Sequence, residues 1–176
     1  MTATTTSAAF VSASVRQLRD TYLPRLRRAV GTLGADGVWW RPHEGTTSAG
    51  NLLLHLEGNV RQWILSGLAG EPDAREREGE FEAREGGDAV ALLAALERTL
   101  ARACEVVAGL DERALLAEHR IQGYEVRGLE AVYHVVEHFG WHVGQVTWIA
   151  KLRAGPGHGL AFYDDDRLDR PDGQGC

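Results

Sequence analysis

From Gly128 to Arg153 the chain carries one long helical pattern that is apolar on more than one face: Leu129, Val132, Val135, Val136, Phe139, Val143, Val146, Ile149 and Leu152 all fall within it. A helix with one apolar stripe needs one neighbour, whereas a helix of this kind must be enclosed by several. Three further stretches supply them. Ser7 to Gly31 places Phe10, Val11, Val15, Leu18, Leu23, Leu26 and Val30 close to helical spacing, with Pro24 predicted to kink or offset the helix. Ala49 to Leu68 follows a cap at Thr47 or Ser48 and stops before Gly70 and Pro72. Asp88 caps a third stretch running to about Ala108, with Val90, Leu93, Leu96, Leu100, Cys104 and Val107 as its apolar stripe.

The joints are equally readable. Gly34 to Gly45 is a loop whose Trp39, Trp40 and Pro42 are expected to fold back onto the end of the helices. A short turn or helix, Asp111 to Glu118, and an extended piece around Ile121 to Val126 lead into the last helix. No segment alternates like a strand for any length. The pattern therefore predicts an all-α chain, a four-helix bundle over residues 1–153 followed by an acidic C-terminal tail over 154–176. The acidic second-to-third connection is too long for a tight hairpin, which predicts a crossover.

At 176 residues the chain is one domain long and can bury roughly 70% of its unfolded surface. Neither disulfides nor a structural metal is needed for a core, so any metal is free to serve function. A net charge of −6 argues against a nucleic-acid binder, which needs a basic face. That charge is concentrated: Glu71 to Gly87 carries −4 and Ala154 to Cys176 carries −3, both read as solvated surface, leaving the helices near neutral. Cys104 lies in an apolar helical pattern and Cys176 is terminal, a usage that suits the reducing cytoplasm and offers no thiolate metal site. No signal peptide or membrane span is expected.

Chemistry concentrates in the histidines. His134, His138 and His142 recur every four residues, so neighbouring pairs share one helix face and can converge on one ion at about 2.0–2.1 Å per Zn–N bond. All three cannot, because eight residues advance a helix by about 12 Å. One pair must be completed from another helix. The second helix offers Asn51, His55 and Asn59, a polar i, i+4, i+8 stripe through an otherwise apolar run. Buried polar groups need partners, and a metal or a wet cleft between the two helices supplies a shared one. His119 and His158 read as hydrogen-bonded or exposed histidines, and His43 as a surface loop residue.

The segments Ser48-Ala-Gly-Asn-Leu-Leu-Leu-His-Leu-Glu-Gly-Asn-Val-Arg-Gln-Trp63 and Ala131-Val-Tyr-His-Val-Val-Glu-His-Phe-Gly-Trp-His-Val-Gly-Gln145 resemble the DinB-like, or YfiT-like, superfamily of small metal-dependent proteins. The likeness runs from the first helix to about Arg153. It implies a four-helix bundle, a homodimer, and His55, His138 and His142 as ligands of a divalent ion, with His134 beside the site. Zinc or nickel is the implied metal, and three neutral imidazoles suit such ions far better than magnesium or calcium. Three ligands leave positions open for water or substrate.

The resemblance further implies a thiol-transferase or hydrolase activity on a small molecule, with a low-molecular-weight thiol as co-substrate. Asn59, Asn51 and Gln145 are the candidate catalytic or orienting groups. Arg61 and Tyr124 are candidate substrate contacts, although Arg61 points away from Asn59 and also suits a salt bridge. Tyr133 is expected in the core. The competing reading is a non-catalytic, metal-binding stress-response or interaction protein. Neither nucleic acid nor membrane is an expected partner.

Overall fold

The computed structural model describes residues 4–34 and 37–162, and these are mainly helical. Helix α1 comprises Thr6–Arg16, Gln17–Tyr22 and Leu23–Leu33 without a break. Its middle segment is wound as a π-turn. Pro24 cannot donate to the ladder of a regular helix, and the wide turn immediately before it takes up the misfit. The offset predicted at Pro24 is thus a change of winding. Helix α2 joins Ala49–Val60 to a second π-turn, Arg61–Ser66. Ser48 caps it, its hydroxyl accepting from the Asn51 amide while the Asn51 side chain accepts from the Ser48 amide.

Helix α3, Arg77–Glu82, lies within the acidic connection and packs against α2. Helix α4 is Ala89–Ala108, capped by Asp88 as predicted. Its buried face is Ala89, Leu92, Leu96, Thr99, Leu100, Ala103, Cys104 and Val107, whereas Val90 points outward, against the predicted stripe. After α5, Glu112–Leu116, the piece expected to be extended, Ile121 to Val126, straddles the turn of a hairpin. Strand β1, Glu118–Ile121, pairs antiparallel with β2, Tyr124–Arg127. Gln122 and Gly123, both at positive φ, make the two-residue turn between them. Four-residue strands are too short to show an alternating pattern, which is why the sequence suggests an extended piece there but not a paired hairpin.

Helix α6, Gly128–Ala154, is the 27-residue helix around which the rest is arranged. It packs on α1 and α2, while α4 packs on α2 and α1, so the long helices share one core. Leu26, Leu53, Leu56, Leu96, Leu100 and Phe139 are fully enclosed in it. Trp39 and Trp40 fold back against this core, and the Trp39 indole donates to the Gly87 carbonyl at 2.9 Å. Gly155, at φ 70°, ends α6. The chain then returns along α1: Leu160 is buried, Arg28 donates to the Ala161 carbonyl, and the Phe162 ring lies under the Arg25 and Arg28 guanidinium groups. The first residues of the predicted tail are therefore packed, and its aspartates fall outside the described residues.

Among the described residues, no helix is long and apolar enough to cross a membrane.

Candidate metal centre

The i, i+4 spacing on α6 turns His138 and His142 toward the same side, and the α2 stripe meets them. The Nε2 atoms of His55 and His138 are 3.0 Å apart, and those of His138 and His142 are 3.2 Å apart. Three imidazole ligand atoms from two helices, 83 residues apart at their closest pair, thus lie within 4.8 Å of one another. Two ligands on a tetrahedral ion with Zn–N bonds of 2.0–2.1 Å are separated by about 3.3 Å, close to the two short spacings here, which are also those of N–H···N hydrogen bonds.

The outer nitrogens decide which way the inner ones face. His55 Nδ1 lies 2.8 Å from the Glu80 carboxylate and donates to it, leaving Nε2 with its lone pair toward the cluster. His142 Nδ1 donates to Gln145 Oε1 at 2.6 Å, with the same consequence. Two lone pairs directed at a third imidazole repel unless a cation or proton lies between them. Burial, then the neighbouring His142 and His55, push His138 down to about 3, and burial lowers His142 as well. His138 and His142 are accordingly neutral at physiological pH, the form that binds metal.

Glu80 is the residue beside the cluster that the sequence does not reveal. Its acidic connection reads as solvated surface, and the cleft reads as free of nearby acidity. Instead α3 folds back onto α2 and buries Glu80 against His55. The Arg75 side chain, only 3% exposed, holds the other carboxylate oxygen through Nε at 2.6 Å and contacts the same oxygen as His55 through Nη2 at 2.9 Å. Burial alone raises a carboxyl pKa, but the hydrogen bonds from Arg75 and His55 outweigh it and hold Glu80 below its ordinary range. Gly58 makes room for this arrangement, since a Cβ there would run into the Glu80 carboxylate and the Arg75 guanidinium. The only sequence trace of the contact is a bare glycine three residues after His55.

The remaining predicted residues divide clearly. His134 stands beside the cluster rather than in it. Its Nε2 accepts from Asn59 Nδ2 at 3.2 Å, its ring stacks on Trp63 with centroids 3.9 Å apart, and its other side faces His138 at 5.3 Å. Asn59 Oδ1, Trp63 Nε1 and His138 Nδ1 are the buried side-chain polar atoms without a partner among the described residues, and all three belong to this one group. Gln145 orients His142.

Asn51 is part of the buried stripe but does not reach the histidines. Its side chain bonds to Ser48, Arg41 and the carbonyls of Glu80 and Ala83, tying the connection to the start of α2. Arg61 pairs with Glu57 on its own helix and reaches Thr99 on α4, the salt-bridge alternative. Tyr124 is exposed on the hairpin, and Tyr133 is exposed on α6 rather than in the core. Cys104 is buried, and that burial raises its thiol to about 11, far from a reactive thiolate.

A family model described as a protein of unknown function (DUF1572) matches residues 5–156, which contain all of the described helices. No curated protein matches the chain.

Proposed function

The chain belongs to that family of unknown function, and from this premise we propose that it is a metal-dependent member of the DinB-like superfamily, a four-helix bundle with a crossover between α2 and α4. The observation that carries the reading is the convergence of His55, His138 and His142, with two of their outer nitrogens fixed by Glu80 and Gln145. Three neutral imidazoles favour zinc or nickel over oxygen-seeking ions. His55, His138 and His142 would hold the ion, which would supply a water or thiol of lowered pKa, the chemistry of hydrolysis or of transfer of a low-molecular-weight thiol to an electrophile.

The chain's own residues supply the rest. Glu80 and Gln145 keep His55 and His142 in one tautomer, so no reorganisation precedes ligation. Arg75 neutralises Glu80, so the carboxylate can remain buried beside the site. Asn59, His134 and Trp63 form a wall with an unused acceptor and an unused donor, groups suited to orienting a polar substrate. The proposal includes a homodimer in the cytoplasm acting on a small molecule.

Elemental analysis of the purified chain should find about one zinc or nickel ion per protomer, lost in His55→Ala and His138→Ala and retained in His134→Ala. Full retention in both ligand variants would place the site elsewhere. A panel of small thiols with electrophiles then separates transferase from hydrolase activity, and an inert holoprotein would favour the non-catalytic reading.

A further inference from the structure

A cavity of about 720 Å³ lies between α6 and the loop before α2, within the range of small-molecule sites. Its floor is Leu52 and Ile149, both buried, and its outer wall includes His43 and Thr46. Trp141 and Trp148 line it while remaining 64% and 61% exposed, a costly use of the largest apolar side chain on a surface. Between them lies Gly144, also in the lining, where a Cβ would meet nothing within 4 Å. Glycine weakens the middle of a helix, and here neither a close approach nor a positive φ calls for it.

The three residues make a slot. Seven residues advance the helix by about 10 Å, and a ring packed between two others at carbon contact distances needs about 7–8 Å. Two indoles separated by a bare glycine therefore bracket room for one planar ring system lying against the backbone. Gln145 also lines the cavity. Its Oε1 is taken by His142, and its amide N–H groups have no partner among the described residues.

We infer that this cavity binds the substrate's organic part: a planar aromatic or conjugated group between Trp141 and Trp148, with a carbonyl or carboxylate oxygen accepting from Gln145. The inference rests on the metal-centre reading in taking the occupant as that site's substrate. Gln145 is the link, because one amide faces the cavity and fixes His142.

The probe is 2-naphthoate, titrated into the ¹⁵N-labelled full-length chain while the five tryptophan indole resonances are followed. Those of Trp141 and Trp148 should shift together and saturate at or below about 1 mM, with Trp63 unmoved. Gly144→Leu should melt no lower than the native chain, because leucine favours helix, and should bind at least tenfold more weakly. In cobalt-loaded protein, naphthoate should perturb the visible bands of the ion.

Equal binding by Gly144→Leu, or no saturable shift of the two indoles, overturns the inference. So does a dimer in which both indoles are already protected and which Gly144→Leu dissociates, since a second copy would then be the occupant. Cobalt that fails to bind, while naphthoate still moves both indoles, would sink the metal-centre reading and leave the cavity assignment standing.

Discussion

Two polar stripes of identical spacing face each other, Asn51, His55 and Asn59 on α2 and His134, His138 and His142 on α6, and they are used differently. On α6 the two C-terminal members converge and the N-terminal one, His134, is held aside by Asn59 and Trp63. On α2 only the central member reaches the cluster, while Asn51 secures the connection and Asn59 holds His134. Periodicity determines which residues share a face. Which of them converge depends also on what packs behind each ring, and behind His55 that is Glu80.

The widest test of this difference is Glu80→Ala. It leaves the Arg75 guanidinium buried without its carboxylate, which should cost about 3–5 kcal/mol in urea unfolding. Glu80→Gln keeps the shape and should instead weaken metal affinity about 10–100-fold, read by competition with a chelating dye. An unchanged affinity would mean that His55 does not depend on the carboxylate behind it.

Asn51→Ala probes the other end of the same stripe. Loss of its bonds to Ser48, Glu80 and Ala83 should cost about 1–3 kcal/mol while metal stoichiometry stays at one. Metal loss at unchanged stability would put Asn51 in the site after all. The smallest effect belongs to Arg61→Ala. Its pair with Glu57 is partly exposed, so unfolding should shift by no more than about 1 kcal/mol, and metal content by nothing measurable.

Much of this was legible because burial leaves a periodic record. The long helices, the caps at Ser48 and Asp88 and the disturbance at Pro24 all follow from local rules that need no knowledge of the partner. The triad His55, His138 and His142 was named through its resemblance to a known pattern; the spacing alone left open which α6 pair converges. Arg75 and Glu80 were not visible. Glu80 is one of seven acids in a segment with no periodicity, and its contact to His55 spans 25 residues, so nothing local distinguishes it from its solvated neighbours. Val90 and Tyr133 show the converse error, since an apolar residue at helical spacing can lie just beyond the edge of the buried face.

The π-turn in α2 bears on how related chains should be aligned. In the turn Arg61–Ser66, Gln62, Trp63, Ile64 and Leu65 are buried in succession, and the Gly67 amide bonds back five residues to Gln62. A wide turn of this kind absorbs one extra residue while the helix on either side keeps its phase. A relative one residue shorter between 61 and 66 can therefore present the same histidine and the same core. The same gap between 49 and 60 would rotate His55 by about 100° away from His138. Gap placement in this helix is consequently a question about the site as much as about length.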